Sequence, residues 1–153
     1  MQPAWRSPTD ADYDVVISSL DDWWGGRRMA DMLPRLFFDH FSDTSLVAVD
    51  EQGDIVGFIV AFVSARDPSL GYVHFVGVDP THRGQGLAAE AYRRTFTTLA
   101  ARGCTKVKAV TSVANTDSQA FHRALGFAVS APVVDYDGPG EDRVVLERPL
   151  SID

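Results

Sequence analysis

The chain has a single cysteine, Cys104, so no disulfide can close within it, and a reducing, cytoplasmic setting is expected. Basic residues are scarce. Fourteen Lys and Arg stand against 21 Asp and Glu, a formal charge of −7 with a pI near 4.9. Without a basic stripe to displace counterions, a nucleic-acid partner is excluded. An acidic surface suits a cationic ligand such as an amine, and equally suits plain solubility. Long hydrophobic runs are missing too. The longest uncharged apolar stretch, residues 55–65, is far short of the roughly 20 residues that span a bilayer. The opening MQPAWRSPTDADYDVV lacks the basic start and apolar stretch of a signal peptide. A cytoplasmic protein with no membrane contact is the expectation.

Several site signatures are absent. There is no G-x-x-x-x-G-K-[ST], which excludes a P-loop. A dinucleotide fingerprint fails at its third glycine, where Ala89 stands, and no acidic residue ends the following strand. No histidine pair has metal-ligand spacing and one cysteine cannot make a zinc site, so no metal is expected. Ser112 and Ser118 lack the G-x-S-x-G surroundings of a hydrolase nucleophile. Cys104 reads as buried packing.

The 153 residues, 45% of them apolar and 23% charged, suffice for one domain over 1–153 with a real core. A short strand at residues 4–7 precedes a helix opened by Thr9 or Asp10. Tyr13, Val16, Ile17 and Leu20 form its i, i+3, i+4, i+7 stripe. DDWWGGRR reads as a loop. A second helix carries Met29, Met32, Leu33, Leu36, Phe37 and Phe41 on one side, with Pro34 in its first turn or at a kink. SLVAVD and DIVGFIVAFVSA, joined by EQGD, read as a hairpin; GYVHFVGV reads as a central strand. A helix ending at Gly103, the strand TKVKAVTSV, a helix closed by Gly126 and two strands flanking DGPGED follow. Antiparallel strands followed by β-α-β units give a partly parallel sheet covered by helices.

Gly84 and Gly86 fall between the end of the central strand and the start of a helix. The first N–H groups of a helix lack intrahelical partners and carry partial positive charge. Glycines let a ligand reach those groups without meeting a Cβ, and Arg83 adds a cation. Phosphate or pyrophosphate is the anion such a turn would hold; a merely tight turn uses glycine as well.

Arg83-Gly84-Gln85-Gly86-Leu87-Ala88 resembles the R/Q-x-x-G-x-G/A signature of the GNAT N-acetyltransferase superfamily. HFVGVDP before it is similar to that family's fourth strand, and NTDSQAFHRALGF to its later N-x-x-(A/S)-x-x-(F/L)-Y-x-x-x-GF segment. The resemblance implies a mixed, partly antiparallel and splayed α/β sheet of about six to seven strands with about four helices. It also implies transfer of acetyl from acetyl-CoA to a primary amine of a small molecule or peptide. A non-catalytic acyl-CoA-binding module of the same fold is the alternative, and a homodimer is left open. By the same resemblance, the pyrophosphate takes the N–H groups of Arg83, Gly84, Gln85, Gly86, Leu87 and Ala88. The pantetheine arm pairs with the backbone of Val76, Gly77 and Val78. Asn115 and Ser118 contact the cofactor, although Asn115 equally suits a helix N-cap. Gly77 permits a bulge and close approach, or simply packs against a neighbour.

Two departures from the family pattern direct the chemistry. His122 stands where the family commonly has a tyrosine proposed to protonate the leaving thiolate; it reads as that acid or as a polar packing residue. The fourth strand offers no carboxylate base but carries Tyr72 and His74, which period 2 places on one face with Val76 and Val78 unless a bulge intervenes. His74 is the candidate base, because imidazole exchanges protons near neutrality; a core histidine is the alternative. Trp23 and Trp24 could wall the acceptor pocket or cap the core.

Overall fold

The structure, a computed structural model, describes residues 2–150. β1 (Ala4–Arg6) leads into α1 (Asp10–Trp23). Asp12 Oδ2 accepts the Thr9 N–H at 2.7 Å, satisfying a donor that a helix start leaves open. The same carboxylate takes two Arg6 N–H groups, at 2.6 and 2.9 Å, and so ties β1 to α1. The Arg6 guanidinium, helped by Thr9, holds the Asp12 carboxyl below its ordinary range against the opposing effect of burial. Val16, Leu20 and Trp23 are buried, with Tyr13 and Ile17 packed beside them, as the helical stripe requires.

Two local readings are corrected here. α1 runs on through Asp21, Asp22 and Trp23, which the sequence suggested as loop. The expected second helix is broken into a 3-10 turn at Ala30–Met32, α2 (Leu36–His40) and a 3-10 turn at Ser42–Thr44. Pro34 is the cause. It donates no N–H, and its ring drives Leu33 out of the helical region to φ −126, ψ 77.

β2 (Leu46–Val49) and β3 (Ile55–Val63) form the expected hairpin, with the Asp50 carboxylate bonding the Gln52 and Asp54 N–H groups in the turn. Then come β4 (Leu70–Val78), α3 (Leu87–Ala101), β5 (Lys106–Ser112), α4 (Thr116–Ala124), β6 (Ala128–Val129) and β7 (Arg143–Pro149). The strand order is β1-β2-β3-β4-β5-β7-β6. β4 and β5 pair in parallel, over Leu70, Gly71 and Tyr72 against Lys106, Val107 and Lys108; β1–β2, β2–β3, β5–β7 and β6–β7 are antiparallel. Seven strands and four helices in a mixed sheet match the fold class expected from the sequence. β6 stops at Val129, and next to it the Val145 N–H goes to the Ser130 hydroxyl at 2.8 Å instead of a backbone carbonyl. Pairing resumes at Val133, which bridges Arg143.

Two compact units divide the chain. The first comprises Met1–Phe62 and His74–Leu99. Its main core joins Val16, Leu20, Trp23, Leu33, Phe38, Val47, Phe58, Val60 and Phe75; a smaller cluster of Ala48, Val56 and Leu87 anchors the start of α3. Each Val, Leu or Phe among them, fully buried, is worth roughly 1.5–3 kcal/mol. The second unit comprises Val63–Val73 and Ala100–Asp153. Cys104, Val107, Phe127, Val144 and Leu146 are buried within it. Among the described residues no helix is long and apolar enough to cross a membrane.

Candidate active site

β4 delivers the chain into a 3-10 turn, Pro80–His82, pinned by the Asp79 carboxylate on the Thr81 N–H and hydroxyl, both at 2.9 Å. Gly84 and Gly86 follow at φ +80 and +77, a left-handed backbone that favours glycine. A Cβ built on either one meets nothing within 4 Å. The glycines are therefore needed for the turn itself, and the ground above them is open. α3 begins immediately, its first helical bond running from Glu90 N–H to Gly86 O at 3.0 Å. The earlier N–H groups have no intrahelical acceptor, so turn and helix start together make an anion cradle. Gln85 and Gly86 also line a cavity of about 320 Å³ with Trp5, Glu90, Arg93 and Arg94. Both arginines there are held by Glu90, at 3.1 and 2.9 Å.

The Arg83 side chain turns back onto the chain. Its Nη2 donates to the Trp23 carbonyl at 2.5 Å, its Nε to the Val78 carbonyl at 3.3 Å, and its guanidinium carbon lies 5.9 Å from the Trp24 ring centroid. Gly77 also has a packing explanation. A Cβ there would come 2.5 Å from Phe58 Cε1 and 3.1 Å from Trp24 Cη2. Of the two roles the sequence leaves to Trp23, acceptor wall or core cap, its burial fits the second: it is 8% exposed and stacked against Phe58. Trp24 remains half-buried, edge-on to Phe75 at 5.3 Å.

On β4, Tyr72, His74, Val76 and Val78 are all half-buried and alternate with buried neighbours. Their contacts divide them. Val78 packs against the Ala48, Val56 and Leu87 cluster, whereas His74 stacks on Phe37, at 4.2 Å between ring centroids and 6° between planes. His74 Nε2 lies 2.6 Å from the Met32 carbonyl oxygen, which can only accept. Nε2 therefore carries a hydrogen and donates this bond. Tyr72 is pushed up to about 12, first by burial and then by Tyr136 and Asp137. Its phenol stays protonated across the neutral range.

In the second unit, Asn115 is the N-cap of α4, its Oδ1 accepting the Ser118 N–H at 3.1 Å. The side-chain NH₂ takes no part in that bond. His122, left by the sequence as an acid or a polar packing residue, lies on the same helix. It is 5% exposed, with Nδ1 2.7 Å from the Ser118 carbonyl and its ring edge-on to Phe121 and Phe127. Burial pushes its pKa down, only partly opposed by the Ser118 bond. The ring is neutral near pH 7, and its one N–H is committed to a carbonyl.

Sequence reasoning missed Phe37 and the Met32 carbonyl as the groups that orient His74. A backbone carbonyl carries no residue signature, and Phe37 read simply as part of an apolar helix face. The double use of Asp21, whose carboxylate accepts the Met29 and Ala30 N–H groups at 2.7 and 2.8 Å, was also hidden in an acidic loop.

A mixed sheet whose fourth strand runs into an open glycine turn at a helix start defines the α/β frame of this unit. The chain belongs to the acetyltransferase (GNAT) family, whose family model matches residues 13–127. It is 36% identical over 122 residues to an L-2,4-diaminobutyric acid acetyltransferase of Streptomyces coelicolor, covering 72% of each chain. The chain spans about half or less of the length of other curated relatives, 48%, 32% and 42% of three of them. Among solved structures, a GNAT-family acetyltransferase from Desulfovibrio desulfuricans superposes with a TM-score of 0.83 at 16% identity, covering 97% of this chain and 99% of that one. The diaminobutyrate acetyltransferase of Paenibacillus lautus, in complex with L-2,4-diaminobutyric acid and coenzyme A, gives 0.74 at 25% identity, covering 98% and 96%.

Proposed function

We propose that the chain transfers an acetyl group from acetyl-CoA to a primary amine of a small molecule or peptide. The observation that carries this reading is the cradle at Gly84 and Gly86, open where a Cβ would stand and facing the first N–H groups of α3. Such a site fits a pyrophosphate, and the N–H groups from Arg83 to Ala88 would hold it. The backbone of Val76, Gly77 and Val78 continues β4 beyond its parallel ladder with β5 and suits pairing with an extended pantetheine arm. Asn115, through its remaining NH₂, and Ser118 are offered as further cofactor contacts. Acetyl-CoA, when bound, supplies a thioester carbonyl activated toward an amine.

His74 is the proposed base. With Nε2–H fixed on the Met32 carbonyl, Nδ1 is left to take the proton that an attacking amine must lose. Tyr72, two residues earlier on the same strand, is the proposed donor to sulfur, since its phenol holds its proton at neutral pH. His122 orients α4 through Ser118 rather than giving up a proton. The relatives' names point to amino-acid amines, and the diaminobutyrate of the Paenibacillus lautus complex is the first acceptor to try. The buried Cys104 thiol, raised in pKa by burial, is no candidate for an acyl carrier and fits a reducing, cytoplasmic setting.

The test is an amine panel with acetyl-CoA, reading free thiol. Turnover should give intersecting initial-rate lines, and His74→Gln should lower kcat at least tenfold with CoA affinity intact. CoA binding without turnover on any amine would leave a binding module instead.

A further inference from the structure

Arg83 opens the glycine loop, and on sequence alone its charge is the obvious partner for a phosphate. The side chain lies elsewhere. Its Nη2 is on the carbonyl of Trp23, the last residue of α1, and its Nε is on the carbonyl of Val78, the last residue of β4. A helix end gathers unpaired carbonyls and partial negative charge, and a cation in the last turn is the usual answer. α1 has no basic residue in its last turn, so a residue 60 positions later in the chain supplies it. The guanidinium also faces the Trp24 ring, 5.9 Å from its centroid. Trp24 in turn lies against Phe75 and over Gly77. One planar group therefore joins three things: the start of the glycine loop, the end of β4, and the turn that follows α1.

We infer that the Arg83 side chain is a positioning group, not a phosphate ligand, and that through it the α1 end and Trp24 set the geometry of the glycine loop. This rests on the reading of that loop as the cofactor cradle. Its consequence is coupling: a change at Trp24, which belongs to a different segment, reaches cofactor affinity through the Arg83 side chain. Lysine cannot substitute, because one ammonium does not reproduce a planar fork on two carbonyls and a ring face.

The experiment is a double-mutant cycle with Arg83→Met and Trp24→Leu, read in two ways. The first is amide exchange of residues 84–87 in the ligand-free protein, and the second is CoA affinity by calorimetry at two salt concentrations. Each single variant should speed loop exchange and weaken CoA about fivefold, and the double variant should be no worse than about twofold beyond the weaker single. Salt dependence should match the parent in all four proteins. Tyr13→Phe, which removes a 2.7 Å bond to the Leu33 carbonyl near the other end of α1, should leave loop exchange unchanged. If Arg83→Met folds poorly, Arg83→Gln and Trp24→Phe complete the same cycle. Trp24→Leu without effect on CoA, together with an Arg83→Met loss that flattens the salt dependence, would make Arg83 a direct anion contact and overturn the inference. Multiplying effects would overturn it too. A parent that binds no CoA removes the cofactor reading, and the exchange data still decide the tie: unchanged exchange in both variants ends it.

Discussion

Replacing Gly77 by alanine separates two reasons for a glycine at the end of β4. The residue is outside the left-handed region, so alanine can adopt its backbone, and by itself this change would stabilise the fold by about 0.4–1 kcal/mol through the unfolded chain. The added methyl decides otherwise. It would come 2.5 Å from Phe58 Cε1, 3.0 Å from Phe58 Cζ and 3.1 Å from Trp24 Cη2, where carbon atoms prefer about 3.5–4.0 Å. Phe58 cannot step aside cheaply. It is 1% exposed and stacked between Trp23 and Phe75, with centroids 6.2 and 5.7 Å away. Overpacking of this kind costs about 1–3 kcal/mol. At about 3 °C per kcal/mol for a chain of this size, Tm should fall by roughly 3–9 °C in a calorimetric melt. Phe58→Leu removes the atoms that collide. In a Phe58→Leu background the alanine should therefore cost at least about 1 kcal/mol less than in the parent, a coupling within the range of touching residues. An unchanged Tm for Gly77→Ala, with CoA affinity lost, would refute the packing argument and make the glycine a site of ligand approach.

Three further outcomes follow from the same geometry. Gly86→Val places a branched side chain at φ +77 in the open cradle, and calorimetry on the folded fraction should show CoA affinity down at least about tenfold; parent-like affinity would remove the loop from the cofactor site. Asp12 has a lowered folded pKa, so its contribution is complete above about 3.9, its unfolded value, and is lost as pH falls through the folded one. Asp12→Asn should accordingly be less stable than the parent at pH 7, with the gap closing in acid melts; a constant gap would contradict this. His122 is a base whose folded pKa is depressed, so the unfolded chain takes up its proton first, and stability should fall as pH drops below about 6.5 toward the folded value. His122→Phe should lack that slope and keep its turnover, whereas a kcat loss of at least about tenfold at unchanged Tm would return the ring to the chemistry.

Much of this could be read along the chain because it was local. The Tyr13, Val16, Leu20 stripe, the Asp50 hairpin turn and the Gly84–Gly86 turn are each fixed by residues within a few positions, and all three appear where the periodicity put them. The break at Pro34 was legible as a kink but not as the loss of a whole helix, since how far a proline's disruption spreads depends on what the flanking residues pack against. The acid–base assignments were less legible for a different reason. His74 is half-buried and His122 is 5% exposed, and a backbone carbonyl accepts from one ring nitrogen of each. Nε2 of His74 meets the Met32 carbonyl from 42 residues away. Nδ1 of His122 meets the Ser118 carbonyl one helical turn back, inside a ring of aromatic edges. Backbone acceptors have no letter in a sequence, so which ring nitrogen of each histidine donates is decided by the fold alone. Arg83 obeys the same logic: its motif marks the loop, while its two carbonyl partners, one at each of two element ends, determine what its charge is for.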